Sequence, residues 1–150
     1  MTKDPENTMS SVWPLFLTTH AVLVARIEAR LSEAGLPPLL WYDVLWALDR
    51  APGHRLRMSE LAETAVLSRS NLTRLVDRLE SAGLVERARA EADRRGAFAV
   101  GTPEGMAMRR KMWPVYSKAI KELFEDHIDD GEAPRIGAAL RRVLDAALEK

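Results

Sequence analysis

The sequence predicts a mainly α-helical fold with one small β-hairpin. Through most of the 150-residue chain, apolar residues recur at spacings of three and four, which is the period of a helix with one buried face. Two short segments, 84–89 and 97–100, instead flank a polar tip, as the strands of a hairpin do. The content of 47% apolar and 29% charged residues is that of a folded domain rather than of a disordered chain.

The composition excludes several classes of site. The chain has no cysteine, which excludes disulfides, thiolate zinc sites and iron–sulfur clusters. Its three histidines are far apart in sequence, so we expect no metal ion and no cofactor. There is no Gly-rich phosphate loop, nucleophile elbow or His-Glu-x-x-His motif, so we do not expect an enzyme. Because there is no run of about 18 apolar residues and no apolar leader, we expect a cytoplasmic protein without a membrane contact.

Charge is balanced overall but unevenly distributed along the chain. The sequence carries 22 basic and 22 acidic residues. Residues 68–95 hold seven arginines against five acids, whereas residues 121–150 hold five basic residues against eight acids. A neutral total taken alone argues against nucleic-acid binding, but binding requires a local basic surface rather than a basic average.

Two helices are predicted in the first third of the chain. Residues 1–11 are polar, and we expect a flexible N-terminus there. A helix is predicted over 12–36, ended by Gly35 and the two prolines that follow. A second apolar stripe predicts a helix that stops near Pro52. The stripe of the first helix consists of Trp13, Phe16, Leu17, His20, Leu23, Val24, Ile27 and Leu31.

The central segment has the signals of two short helices joined by a tight turn. Ser59 is a favourable N-cap for a helix of two turns, and Ser68 is one for a helix that ends before Gly83. Two short helices connected in this way form a helix-turn-helix. With the hairpin that follows, they predict a winged helix-turn-helix over residues 38–102.

Two further helices are predicted after the hairpin. Thr102 and Pro103 supply an N-cap and a first-turn proline for a long helix. A last helix is predicted over 134–149, with an inward stripe of Ile136, Leu140, Val143, Leu144 and Leu148. These stripes are longer than a winged helix alone can cover. They predict a helical dimerisation region over 12–36 and 103–150, and the alternative is one self-contained helical subdomain.

The local sequence resembles the MarR family of bacterial transcription regulators. The resemblance is carried by Thr-Arg-Leu-Val-Asp-Arg-Leu-Glu at 73–80, Gly-Leu-Val at 83–85 and Asp-Arg-Arg at 93–95. It covers residues 12–150 and is densest over 58–105. It implies a homodimer whose terminal helices interlock across a two-fold axis and which binds a palindromic operator in double-stranded DNA. The family usually has a large aliphatic residue where this chain has Gly101, which leaves the packing at the end of the second hairpin strand open.

The helix after Ser68 is the predicted DNA-recognition helix. Its apolar residues, at i, i+3, i+4 and i+7, are Leu72, Leu75, Val76 and Leu79. The opposite face is polar, with arginine suited to guanine, asparagine to adenine and hydroxyl groups to phosphate. A plain solvated helix face is the alternative. We expect Asp77 to pair with Arg74. The predicted DNA contacts here are Ser68, Arg69, Ser70, Asn71, Thr73, Arg74 and Arg78.

The hairpin tip is the second predicted DNA-binding element. By resemblance, Asp93 holds the tip in shape and Arg95 enters the minor groove, whose negative potential attracts a guanidinium group. Arg87, Arg89 and Arg94 are expected to contact phosphates, which adds affinity without sequence choice. An ordinary charged turn is the alternative.

The resemblance also implies a small aromatic or phenolic effector, bound between the helical frame and the winged helix, that lowers DNA affinity. The candidate residues are Trp13, His20, Trp41, Tyr42 and Trp46, and plain core packing is the alternative for each of them. The sequence thus predicts a dimeric, ligand-released repressor of transcription. A winged-helix protein-interaction module without sequence-specific DNA binding is the alternative function.

Overall fold

The computed structural model describes residues 8–65, 67–89 and 97–149 of the chain. It confirms a mainly helical winged helix-turn-helix fold with a small antiparallel sheet. The elements, in chain order, are α1 (Thr8–Glu33), α2 (Leu39–Arg50), β1 (Arg55–Arg57), α3 (Met58–Ala65), α4 (Arg69–Ser81), β2 (Val85–Ala88), β3 (Phe98–Gly101), α5 (Pro103–Leu123) and α6 (Glu132–Leu148). Single 3-10 turns at Pro52–His54 and Glu125–His127 follow α2 and α5.

The chain divides into two compact units. The central unit is Ala25–Tyr116, and the terminal unit combines the residues up to Val24 with those from Ser117 onward. The central unit therefore holds the end of α1, all of α2, α3, α4 and the sheet, and the first part of α5.

The core of the central unit is built where α2, α3 and α4 meet the sheet. The helices contribute side chains spaced by three and four, so each presents one apolar face. Full burial of such a side chain stabilises the fold by about 1.5–3 kcal/mol. The fully buried members are Val44, Leu45, Leu48, Leu61, Val76, Leu79, Val85 and Ala99.

The sheet has three strands in the order β1-β3-β2, all antiparallel. The sequence predicted the hairpin of β2 and β3, which the structure confirms, but it did not predict that β1 joins them. With three residues, β1 is too short to show an alternating pattern. Its register places Arg57 opposite Phe98.

The strand β1 runs directly into α3. The Met58 N–H donates to the Ala97 carbonyl at 3.1 Å, so sheet pairing continues to the first residue of the helix. Helix α3 therefore begins at Met58, and the prediction that Ser59 caps it is wrong. The Glu60 carboxylate, which accepts the Arg57 N–H at 3.1 Å, takes the place of that cap.

The junction between β3 and α5 is tightly packed. Thr102 caps α5 as predicted, because its hydroxyl oxygen accepts the Gly105 N–H at 3.0 Å, and the hydroxyl donates to the Gly83 carbonyl at 2.7 Å. A Cβ on Gly101 would lie 2.5 Å from the Met106 Cε. The Met106 side chain thus fills the space that a larger residue at 101 would occupy, which accounts for the glycine found there.

In the terminal unit, helix boundaries differ from those predicted. Helix α1 begins at Thr8 rather than at 12, since no glycine or proline separates the two positions. Helix α6 begins at Glu132. Ahead of α6, the Asp129 carboxylate accepts the N–H groups of Gly131 at 2.9 Å and Glu132 at 2.8 Å. The hydrogen bond from the Glu132 backbone N–H is the largest of the interactions that hold the pKa of Asp129 below its usual value.

Of the five α6 residues predicted to face inward, four are exposed in the single chain, contrary to the prediction, and Ile136 is half-buried. Their exposed fractions lie between 45% and 69%, for Leu140, Val143, Leu144 and Leu148. The first half of α1 is likewise exposed, with Trp13 at 64% and Phe16 at 46%. By length and composition alone, Ser11–Glu33 of α1 could span a membrane, but interior helices of globular proteins pass the same test, so this helix does not indicate a membrane protein.

Candidate nucleic-acid interface

Helix α4 is fixed to the core by one face and exposes the other. Its four predicted apolar residues are all buried, as the periodicity required. The Ser68 hydroxyl caps the helix by accepting the Asn71 N–H at 3.3 Å. Gly83, with φ of +76°, supplies the left-handed turn that ends it. Asp77, Glu80 and Ser81 are exposed, and so are all the residues predicted to contact DNA here, namely Ser68, Arg69, Ser70, Asn71, Thr73, Arg74 and Arg78.

Arg87, predicted to contact phosphate, is instead bound to α4. It lies on β2, and its guanidinium group pairs with Asp77 at 2.7 Å and with Glu80 at 3.0 Å. The same group donates to the Thr73 carbonyl at 3.1 Å, and the Arg87 backbone N–H donates to Glu80 at 3.1 Å. The structure therefore gives Arg87 a positioning role between the strand and the helix.

The predicted ion pair between Asp77 and Arg74 is not formed, and arginines of α4 remain without an acidic partner among the described residues. Because Asp77 pairs with Arg87, it does not neutralise a neighbour on its own helix. In the part of the chain that the structure describes, the guanidinium groups of Arg69, Arg74 and Arg78 have no ion pair. These three exposed arginines are spread around the part of α4 that is not buried, and they form a local basic surface on a chain with no net charge.

A cleft joins this helix to the base of the hairpin. It has a volume of about 260 Å³. Residues of α3, α4 and β2, and the residue that precedes β3, line this cleft. They are Met58, Ser59, Arg69, Leu72, Thr73, Arg87 and Ala97. The cleft is therefore lined by both α4 and the base of the hairpin.

The predicted tip residues Asp93, Arg94 and Arg95 lie outside the described residues. The strands that lead to them are described: β2 ends at Ala88 and β3 begins at Phe98. Arg89, one residue beyond β2, is exposed.

The candidate effector residues are found in different surroundings. Tyr42 is buried, whereas Trp41 is partly buried against the core and Trp46 is 40% exposed with the Arg50 guanidinium 4.6 Å above its ring. Trp13 and His20 are exposed in the terminal unit. The structure therefore does not gather the five residues into one described site.

Tyr42 instead packs with two aromatic residues that sequence analysis did not select. Its ring stacks on Trp113, with centroids 6.1 Å apart, and meets Tyr116 edge-on at 5.0 Å. The spacing of 113 and 116 on one helix face was the available signal. We call Tyr42, Trp113 and Tyr116 the aromatic cluster.

Asp43 lies beside the aromatic cluster. Burial, and then the negative charge of Glu28, raise the pKa of Asp43 above its usual value. Burial also raises the pKa of Tyr116, and the electrostatic effects of Asp43 and then of Tyr42 raise it further. Among the described residues, the Asp43 carboxylate has neither a hydrogen-bond donor nor a cation, whereas Glu28 accepts the Leu39 N–H at 2.6 Å.

Metal binding finds no support within residues 11–65, 67–89 and 97–149, where no group of three histidine, aspartate or glutamate side chains is arranged to hold an ion. The arrangement of α4 and the hairpin is suited to contacts with an anionic polymer rather than to bond-breaking chemistry.

Comparison with known proteins identifies the family. The MarR family model matches residues 34–96. The curated regulator PrsX of Escherichia coli is 35% identical over 83 residues, which are 55% of this chain and 50% of PrsX, so the chain spans about half the length of the curated relatives that it matches.

Two solved structures from Streptomyces coelicolor resemble the whole chain. The MarR family regulator AbsC is 30% identical, with a TM-score of 0.90 over 99% of this chain and 100% of its own. Sco3205, solved in complex with DNA, is 30% identical, with a TM-score of 0.88 over 94% of this chain and 92% of its own. This chain therefore belongs to the MarR family of transcriptional regulators.

Proposed function

We propose that the protein is a homodimeric repressor that binds a palindromic operator in double-stranded DNA. The observation that carries the proposal is the outer face of α4, where Arg69, Arg74 and Arg78 are exposed and without an ion pair while the opposite face is buried. A helix fixed in this way can place donors against base edges in the major groove at little entropic cost. The structural relative Sco3205 binds DNA, which agrees with this assignment.

The exposed apolar helices support a dimer. One recognition helix contacts only a few base pairs, and a second copy one helical turn away, about 34 Å along the duplex, doubles the contact. The apolar faces of α6 and of the first half of α1 are left uncovered in a single chain. Exposed apolar side chains in this number indicate an association site, and burying them against a second copy would supply the two-fold symmetry of the operator.

The hairpin would supply the rest of the interface. Arg95 would enter the minor groove, with Asp93 holding the tip, while Arg89 and Arg94 would contact phosphates. Arg87 would contribute by fixing β2 to α4, since its ion pairs already use its guanidinium group.

The last part of the proposal is that a small aromatic or phenolic ligand releases the protein from DNA. The aromatic cluster offers flat apolar surface, and Trp113 is 45% exposed. Such a ligand would lower DNA affinity by favouring a spacing of the two recognition helices that does not fit the operator. Titrating the protein–DNA complex with phenolic compounds tests this step, and a compound that binds without releasing DNA contradicts it.

DNA binding is tested with duplexes selected by the full chain from a random library. Arg74→Ala should weaken binding to the selected duplex by about 5- to 150-fold, because a good arginine–guanine contact is worth about 1–3 kcal/mol. Combined with Arg95→Ala, it should abolish the preference over random DNA and leave the melting temperature nearly unchanged. Fluorescence anisotropy and thermal melting measure the two quantities.

Two variants serve as controls. Arg110→Ala, on the exposed surface of α5, should leave both quantities unchanged. Arg87→Ala should lower the melting temperature, because the Asp77 carboxylate and the Thr73 carbonyl lose their guanidinium donor, while Glu80 keeps only the backbone N–H of residue 87. If the wild-type chain shows no preference for any duplex over random DNA, the proposed function is wrong, and negligible binding even at low salt would favour a protein-interaction module.

A further inference from the structure

The aromatic cluster has a buried member and two members that reach the surface. Tyr42 is buried, and its ring is inclined by only 19° to that of Trp113. Trp113 is nevertheless exposed, and Tyr116 is half-buried. The rings of Trp113 and Tyr116 have centroids 5.9 Å apart and are inclined at 77° to each other. All three residues lie in the central unit, so the cluster forms within that unit alone.

The carboxylate of Asp43 brings a negative charge to this cluster. Asp43 follows Tyr42 in α2 and is half-buried, and its charge raises the pKa of the Tyr116 hydroxyl. Glu28 brings a second negative charge from α1, and its carboxylate accepts the Leu39 N–H at 2.6 Å. Within the described chain, Asp43 itself has no ion pair and no hydrogen bond from a donor. The charge beside the rings is therefore uncompensated.

An unpaired carboxylate in this place lowers the stability of the fold near neutral pH. Burial raises the pKa of Asp43, and the charge of Glu28 raises it further, so both oppose ionisation. A charged group that departs from the usual pairing of buried charges, and that has no structural partner, is typical of a binding site. A bound molecule could supply the positive charge that the described chain does not.

Aromatic rings and a carboxylate together select a cation. The faces of tryptophan and tyrosine rings carry negative potential and attract ammonium groups. Asp43 attracts the same charge, and it repels ligands that carry a carboxylate or a phenolate. An apolar body attached to the cationic nitrogen would cover the exposed part of Trp113.

We propose that the protein binds a small organic cation, an ammonium group on an aromatic body, between Asp43 and the rings of Trp113 and Tyr116. The inference rests on the proposed ligand that releases DNA, and it specifies the charge of that ligand. Tyr42 is a positioning residue, because its buried ring lies against Trp113. The bound cation offsets the negative charges of Asp43 and Glu28.

The test uses three probes that share one ring and differ in charge. At neutral pH, phenethylamine is a cation, phenethyl alcohol is neutral and phenylacetate is an anion. The full chain should bind phenethylamine at least about 10-fold more tightly than phenethyl alcohol, which corresponds to about 1.4 kcal/mol. Phenylacetate should bind more weakly than either. Calorimetry measures the affinities, and a change in tryptophan fluorescence that is absent from Trp113→Phe reports contact with that ring.

Matched variants separate the charge, the ring and folding. Asp43→Asn keeps the shape of the carboxyl group without its charge, so it should weaken phenethylamine binding by about 10-fold and leave phenethyl alcohol binding unchanged. Glu63→Gln neutralises an exposed carboxylate of α3 and should change neither affinity. Trp113→Leu keeps an apolar side chain but removes the ring, and it should weaken the binding of both probes. Thermal melting checks that each variant is folded.

The outcomes distinguish this inference from the function on which it rests. If phenethylamine binds no more tightly than phenethyl alcohol, or if Asp43→Asn does not weaken its binding, the cation site is wrong and the proposed DNA binding is unaffected. If phenethylamine binds through Asp43 but does not release a selected operator, the proposed release by a ligand is wrong and the cation site stands. If Asp43→Asn weakens the dimer in ultracentrifugation, the carboxylate pairs with a cation of a second copy, and this inference is overturned.

Discussion

At the scale of single residues, Asp43 shows how burial and charge combine. Its carboxylate lies beside the aromatic cluster and near Glu28, without a donor among the described residues. Because burial raises its pKa in the folded state, the folded chain holds the proton more tightly than the unfolded chain. Stability from this group is therefore present below its unfolded pKa of about 3.9 and is lost as the pH rises through the folded value.

We therefore expect Asp43→Asn to stabilise the protein near neutral pH. The amide keeps the shape of the protonated acid and cannot ionise, so the variant avoids a buried negative charge. Thermal melting at several pH values measures the difference between variant and wild type. The gain should be absent below about pH 4 and grow towards pH 7. Asp145→Asn, on the exposed surface of α6, is the control, and a gain that does not depend on pH would contradict the interpretation.

The partner of Asp77 shows which residue contacts a sequence can predict. Spacing along α4 suggested Arg74, because residues three apart share a helix face. The actual partner, Arg87, comes from a strand, and its distance from Asp77 depends on how the hairpin lies against the helix. Local spacing predicted which residues of α4 are exposed, but it could not predict which residue of another element would neutralise one of them.

At the scale of elements, helices with local end signals were predicted well. Ser68 and Gly83 mark the ends of α4, and Thr102 caps α5, each through chemistry confined to a few residues. The third strand and the beginning of α3 were missed because both depend on pairing with β3, more than 35 residues away. The aromatic cluster was missed for the same reason, since it joins α2 to α5.

The junction between β3 and α5 gives a prediction at this scale. A Cβ on Gly105 would lie 2.1 Å from the Leu84 carbonyl oxygen, which is backbone and cannot move away. Gly105→Ala should therefore destabilise the protein by about 3 kcal/mol or more. Urea unfolding measures the change in the free energy of unfolding.

Gly101→Ala is the matched comparison for this junction. Its Cβ would approach the Met106 Cε at 2.5 Å, but that methyl group ends a flexible side chain and can rotate aside. We expect a cost of less than about 1 kcal/mol. If the two alanine variants lose the same free energy of unfolding, the close approach of Gly105 to the Leu84 carbonyl is not what makes Gly105→Ala destabilising.

At the scale of the whole molecule, the exposed face of α6 predicts the oligomeric state. Leu144→Glu would place a charge within the proposed association surface and should weaken the dimer by about 100-fold or more, which corresponds to about 3 kcal/mol. Analytical ultracentrifugation should show a shift towards single chains, and affinity for the selected operator should fall with it. Arg142→Glu, on the opposite face of α6, also adds negative charge and should leave the dimer intact.

The hydroxyl of Thr102 holds two segments of the chain together. It links the turn after α4 to the first turn of α5, and the Leu84 carbonyl accepts the Thr102 N–H at 3.2 Å in the same place. With no room for a side chain at Gly105, these segments cannot slide past each other. Because these contacts fix the beginning of α5 against the end of α4, we expect a tilt of α5 to move α4 with it.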